Sequence, residues 1–218
     1  MWVSKDKETR KREFLETAID MFIEKGYEVT SINHILKKMN ITKGSFYYHF
    51  ESKDDLLNQI IDLFLEDIRT IADKVEKSAC SALEKLEMLA LNVMTYRDNH
   101  EKLYKDLYEI NQKEGNELIN TRYHQKANDL YGDIVKDIIE QGKNEGVFNP
   151  VDLDETPEVF LQIAHHYKTK IARFYYAMDE KKGEEIRRLG RSFQITIERL
   201  LGTKEGALNY YSIGPVGG

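Results

Sequence analysis

Residues 42–53 read Thr42-Lys43-Gly44-Ser45-Phe46-Tyr47-Tyr48-His49-Phe50-Glu51-Ser52-Lys53. Phe46 and Phe50 are four apart, so a helix places both on one face, toward a core. The opposite side then carries Lys43, Ser45, Tyr47, Tyr48 and His49. A short helix with two tyrosines, a lysine and a histidine outward is poorly suited to a plain solvent face. It suits docking on something polar and ridged. Lys43 can donate to O6 and N7 of a guanine edge. Gly44 leaves its backbone bare for close approach to a base or a thymine methyl, and Ser45 can donate or accept. Tyr47, Tyr48 and His49 lie further along and suit phosphate oxygens, which fix register rather than sequence. Lys53 stands against the dipole of the helix it opens. That helix N-terminus and the lysine would both attract a phosphate.

The elements that must hold this arc are legible around it. Phe14, Leu15, Ala18, Ile19 and Phe22 recur at helical spacing and predict a first helix from about Lys7 to Lys25, closed by Gly26 as a left-handed cap with Tyr27 packing back. Thr30 or Ser31 caps a second, short helix carrying Ile32, Ile35, Leu36 and Met39, with Asn40 as its stop. Thr42 caps the third, about Lys43–Phe50, with Ile41 and Phe46 placed as a hydrophobic staple. Two short helices on a tight turn make a helix-turn-helix. Ser52-Lys53-Asp54-Asp55 is a capping box for a fourth helix whose apolar positions run from Leu56 to Val75.

The remainder reads as further helices, over roughly 81–98, 101–112, 116–141, 155–180 and 183–202. Gly146 to Pro150 forms a loop, and Thr156-Pro157 restarts the chain as a helix. No segment alternates as a strand, so the class is all-α. The expected organisation is a DNA-binding domain at 1–53, a second helical domain at 54–202, and a flexible tail at 203–218, which is rich in glycine.

Composition narrows the function. The 218 residues are 41% hydrophobic and 32% charged, with a net charge of −6. The acidic total hides an asymmetry. Residues 1–53 hold ten Lys/Arg against eight Asp/Glu, which leaves 22 against 30 for the rest. Lys5, Lys7, Arg10, Lys11 and Arg12 crowd the start. Only that end is charged to meet a phosphate backbone. No apolar run approaches the roughly 20 residues that span a bilayer, and Met1–Arg12 lacks the apolar centre of a signal peptide. A cytoplasmic protein with no membrane partner is expected. The single Cys80 excludes an internal disulfide, and no His-x-x-x-His pair exists, so neither metal nor cofactor is expected.

The run from Thr42 to Leu56 resembles the signature of the TetR family of transcriptional regulators, roughly T-x-G-[ST]-[FLI]-Y-x-[HY]-F-x-[SN]-K-[DE]-x-L. Upstream, Ala18, Phe22, Gly26-Tyr27, Thr30-Ser31-Ile32 and Ile35 are also similar to the family pattern. The resemblance covers about residues 8–60 in detail. It implies a homodimer, a nine-helix protomer and a C-terminal ligand and dimer domain. By motif position it implies DNA contacts at Thr30, Lys43, Gly44, Ser45, Tyr47, Tyr48, His49 and Lys53; the adjoining caps Ser31 and Thr42 are grouped with them. The partner is then a near-palindromic operator duplex. A helical enzyme or carrier is disfavoured by the absence of G-x-S-x-G, G-x-G-x-x-G, Walker and H-E-x-x-H motifs. Repressor and activator are not separated by any residue, apart from the family's habit of repression.

Two expectations concern the second domain. Phe64, Met88, Tyr96, Tyr108, Tyr123, Tyr167 and Phe174 are candidate walls of a pocket for a small lipophilic or aromatic ligand. Ile163, Ile171, Ile186, Leu189, Gly190, Phe193 and Ile197 are candidate dimer contacts on the last two helices, which would pair into a four-helix bundle.

Overall fold

A computed structural model describes residues 7–99, 101–176 and 182–208. All regular structure among them is helical: α1 (Lys7–Lys25), α2 (Ile32–Met39), α3 (Lys43–Tyr47), α4 (Lys53–Glu76), α5 (Ala82–Asn99), α6 (Glu101–Gln112), α7 (Glu117–Asn144), α8 (Thr156–Tyr176) and α9 (Lys182–Leu201). The all-α expectation holds. Most helix ends fall where end chemistry puts them. Gly26 stops α1 at φ +94°, and its N–H donates to the Phe22 carbonyl at 3.0 Å. Ser52 Oγ accepts from the Asp55 N–H at 3.0 Å to open α4, while Asp55 reaches back to the Glu51 N–H at 2.9 Å. The α3 helix is shorter than expected. It ends at Tyr47, and a turn carries the chain to Phe50. At the start of α8 the capping acceptor is Asp152, whose Oδ1 takes the N–H groups of Asp154 and Glu155; Thr156 instead donates to the Asp152 carbonyl.

The chain forms two compact units, drawn differently from the expected boundary after Lys53. The first comprises Met1–Glu66 and Glu101–Gln125; the second comprises Asp67–His100 and Lys126–Gly218. In the first, α1 packs on α2 and α6, and α2 on α3. Its buried residues include Phe14, Phe22, Ile35, Phe46, Phe50, Leu56, Leu57, Ile60, Ile61, Ile110 and Ile119. In the second, α8 and α9 pack along each other, and Val75, Leu86, Ile138, Ile139, Phe148, Phe160, Phe193, Ile197 and Leu201 share one core.

This core corrects part of the expected dimer set. Leu189, Phe193 and Ile197 are buried within the protomer, Ile197 completely, and Gly190 is buried beside them. They face their own chain and offer no surface to a second copy. Ile163, Ile171 and Ile186 stay partly exposed. The expected tail is corrected at its beginning too. Leu208 is fully buried in the same core, and its N–H donates to the buried Glu198 carboxylate at 3.0 Å. Residues 209–218, like the expected helical residues 177–180, lie outside the described residues.

Two glycines of α7 make a matched pair. A Cβ on Gly142 would come within 1.9 Å of the buried Phe148 ring, whereas one on Gly132 would meet nothing within 4 Å. Gly142→Ala should destabilise by about 1–3 kcal/mol through overpacking. Gly132→Ala should stabilise by up to about 1 kcal/mol through helix propensity. Urea unfolding of both variants checks this, and a Gly142→Ala protein as stable as the parent would refute it.

Candidate nucleic-acid interface

The arc of expected contacts rests on two helix starts and one aromatic lock. Ser31 opens α2 with a reciprocal cap: its Oγ accepts from the His34 N–H at 3.2 Å, and His34 Nδ1 accepts from the Ser31 N–H at 3.3 Å. Asn40, left-handed at φ 53°, ends the helix, and the Ile41 N–H then donates to the Leu36 carbonyl at 3.1 Å. Thr42 begins α3 in extended conformation. Its side chain makes no capping bond and is exposed. Phe46 meets Phe14 edge-on at 5.6 Å, Phe50 meets Phe14 at 5.5 Å, and Phe46 lies 5.3 Å from Phe50. Three buried rings thus clamp α3 to α1.

The clamp turns the other residues outward together. Thr42, Lys43, Gly44, Tyr47 and Tyr48 are exposed, and Ser45 and His49 are half-buried. Tyr47 is 49% exposed and Tyr48 68%. The Lys43 ammonium lies over the Tyr47 ring at 5.6 Å, and Lys7 over Tyr48 at 5.3 Å. These contacts group cations and ring faces without using the tyrosine hydroxyls. Gly44 is not required by packing, since a Cβ there would meet nothing within 4 Å.

His49 is half in the aromatic layer, 5.8 Å from Phe14 and 5.0 Å from Tyr48. Its Nδ1 is buried and lacks a partner among the described residues. Burial, and then Lys7, with further contributions from Lys11 and Arg10, lowers its pKa below the ordinary 6.5; Glu8 opposes them. The ring is therefore neutral at pH 7.5 and holds one proton to donate.

Three expected residues are already engaged inside the chain. Thr30 is fully buried and its hydroxyl donates to the Gly26 carbonyl at 2.7 Å. A side-chain DNA contact at Thr30 is thereby corrected: this hydroxyl closes the α1–α2 turn. Ser31 is exposed, with its Oγ in the α2 cap. Lys53 Nζ donates to the Tyr27 carbonyl at 2.5 Å and sits 3.9 Å from the centre of the Tyr27 ring. The cation that opposes the α4 dipole is thus compensated locally by a carbonyl and a ring face. Burial lowers its pKa, against the pull of Glu28.

Sequence reasoning passed over Asn116. It is fully buried in the loop between α6 and α7 and bonds to the α1–α2 turn. No periodicity marks a lone polar loop residue; the one available hint was its place between Gly115 and the apolar positions of α7.

The expected pocket walls fall in both units. Phe64, Tyr108 and Tyr123 belong to the first, with Phe64 and Tyr123 buried. Met88, Tyr167 and Phe174 belong to the second. The side chain of Tyr96 lies outside the described residues. Tyr167 shares a hydrogen bond with Ser192 Oγ at 2.7 Å and stands edge-on to Phe193 at 5.4 Å. A surface groove of about 390 Å³ lies beside Gly132, Lys136, Asp154 and Leu161, with none of the expected wall residues in its lining. Among the described residues, no cluster of three or more His, Cys, Asp or Glu could hold a metal, and no helix is long and apolar enough to cross a membrane.

Comparison with known proteins agrees with this geometry. Residues 14–60 match the family model for bacterial regulatory proteins of the tetR family. An uncharacterized HTH-type transcriptional regulator, YhgD of Bacillus subtilis, is 26% identical over 157 residues, covering 71% of this chain and 80% of the relative. The HTH-type transcriptional repressor KstR2 of Mycobacterium tuberculosis is 29% identical over 149 residues, covering 67% and 72%. The crystal structure of a tetR-family regulatory protein from Rhodococcus RHA1 shares the fold, with a TM-score of 0.62 at 17% identity over 92% of this chain and 100% of that one. With the signature, the helix order and the outward arc in agreement, residues 14–60 are a tetR-family DNA-binding segment, and the protein is a DNA-binding transcriptional regulator similar to the repressors of that family.

Proposed function

We propose that this protein is a homodimeric repressor that reads a near-palindromic operator with the Thr42–His49 arc and is released by a small lipophilic or aromatic molecule. The observation that carries the DNA-reading part is Gly44. It sits in the first turn of a five-residue helix, where glycine weakens the helix by about 1 kcal/mol relative to alanine, and nothing inside the chain fills the space beside it. A ligand that approaches the backbone closely explains both facts, and the floor of a major groove does so. Lys43 and Ser45 flank that bare backbone as base readers. Tyr47, Tyr48 and neutral His49 donate to phosphates, and exposed Thr42 lies at the edge of the arc.

Repression is supported by the KstR2 relatives, which are named repressors. Dimerisation is assigned to the outward parts of α8 and α9. Ile163, Ile171 and Ile186 are partly exposed there, and Val159 is 40% exposed. Two copies placed across a two-fold axis would set half-sites about one helical turn apart. Release by ligand rests on α4, one continuous helix with Lys53 at its start; residues to Glu66 belong to the first unit and those from Asp67 to the second. Candidate walls lie in each unit taken by itself, Phe64, Tyr108 and Tyr123 in the first and Met88, Tyr96, Tyr167 and Phe174 in the second, and offer apolar bodies with a few hydroxyl tips. A coupling of about 1–3 kcal/mol would weaken DNA binding by roughly 5- to 150-fold. A thermal-shift screen finds the ligand. Operator DNA must then weaken that ligand by the same factor as the ligand weakens DNA, and a hit without this reciprocity would refute induction.

Gly44→Ala separates folding from DNA reading. The variant should melt no lower than the parent, with up to about 1 kcal/mol of added stability, yet lose at least about tenfold in affinity for a duplex selected by the parent protein. Unchanged affinity would remove Gly44 from the interface.

Charge counting separates the residues of the arc. Lys43→Ala should relax preference at one or two base pairs by about 1–3 kcal/mol. His49→Gln at pH 7.5 should weaken binding but leave its salt dependence unchanged, because a neutral ring displaces no counterion. A slope lower by about one unit in His49→Gln would show that the histidine binds as a cation.

A further inference from the structure

We infer that Asn116 is a positioning residue for DNA binding: through the Tyr27 peptide it holds the Lys53 ammonium where a phosphate can reach it. The inference rests on the DNA-binding reading of Lys53 given above. Asn116 is fully buried and spends its amide on three backbone groups from separate segments. Its Oδ1 accepts from the Tyr27 N–H at 2.6 Å. Its Nδ2 donates to the carbonyls of Phe22, at 3.0 Å in the last turns of α1, and Ile110, at 3.1 Å near the end of α6. An asparagine preceding a helix ordinarily caps that helix with its side-chain oxygen. Asn116 directly precedes α7, and its backbone carbonyl accepts from the Asn120 N–H at 3.1 Å, but the side chain turns away to the α1–α2 turn. A buried amide with every donor used gives a defined position, because any displacement strands polar atoms away from water.

The Tyr27 peptide carries that position onward. Its N–H is held by Asn116, while its carbonyl takes the Lys53 ammonium at 2.5 Å and its ring underlies the same ammonium at 3.9 Å. An ammonium has three donors, so two remain for phosphate oxygens. Neighbouring contacts close the turn on the same loop. The Glu28 N–H donates to the Gly115 carbonyl at 3.3 Å, and Gly26 lies so close that a Cβ there would stand 2.8 Å from the Glu114 carbonyl. Arg122 adds a second tie from α7 to the start of α4, 2.7 Å from Asp54 and 3.4 Å from Asn58. The α6–α7 loop thus grips the α1–α2 turn that anchors Lys53.

The test is the salt dependence of binding to a duplex selected from a random pool by the parent protein, over roughly 50–200 mM salt. Asn116→Asp keeps the shape and the acceptor but sets a carboxylate against two carbonyls. Asn116→Ser is the milder second variant if the first does not fold. Lys53→Gln and either Asn116 variant should each lower the slope by about one unit, and the double variant should lose no more than Lys53→Gln alone. A variant that loses affinity with an unchanged slope, or a double variant that loses two units, overturns the inference while leaving the DNA-binding reading intact. A parent protein without salt-dependent binding overturns both. A DNA-free readout is lysine acetylation by acetic anhydride. Lys53 should react more slowly than exposed Lys37 in the parent protein and match it in the Asn116 variants. Equal rates in the parent protein overturn the inference.

Discussion

The three-ring contact of Phe14, Phe46 and Phe50 is the constraint on which the outward arc of α3 depends. A helix of five residues is far too short to persist alone in water. The α3 segment holds its conformation because Phe46 and Phe50, at most 1% exposed, are locked edge-on and tilted against each other and against Phe14. Once these two rings are fixed, Tyr47 and Tyr48 between them are turned outward, and His49 is left half in the ring layer. Placement of Lys43, Tyr47 and Tyr48 therefore follows from hydrophobic burial of residues that touch no ligand.

That division sorts the signature into residues the fold uses and residues it leaves free. Thr30 spends its hydroxyl on Gly26, and Lys53 spends one donor on Tyr27. Among the described residues, the side chains of Lys43 and Tyr48 meet ring faces and a neighbouring cation, with cation–ring contacts worth about 0.5–1 kcal/mol at exposed sites. Their burial on DNA would displace little internal bonding, whereas extracting Thr30 would strand a buried hydroxyl and carbonyl.

Much of this was legible in sequence. Apolar spacing and cap residues located α1, α2 and the start of α4, because burial stripes and caps are local signals. Local signals fail where the partner is distant. Leu189, Phe193 and Ile197 form a helical stripe whether the surface they meet is their own α8 or a second protomer, and periodicity does not distinguish the two. Leu208 lies in a stretch of glycines and polar residues that reads as loose chain, and only the buried Glu198 carboxylate and the core beneath explain its order. Asn116 was invisible for the same reason: its three partners are up to 94 residues away.

The two glycines of the first unit show how one residue type answers to different constraints. Gly26 adopts φ +94° with the Glu114 carbonyl pressed against the place a side chain would occupy, so folding alone requires it. Gly44 has ordinary helical backbone and open space, so folding alone would accept alanine there and gain from it. A sequence pattern weights both positions equally, and only the geometry separates a glycine held by the interior from one with open space beside it. The residues around Gly44 share its property, being outward, unsatisfied at their polar tips and fixed by a buried pair. In the proposed reading, the DNA-facing surface is made of signature positions whose polar groups the protein leaves outward, and Lys53 adds the donors that Tyr27 does not take.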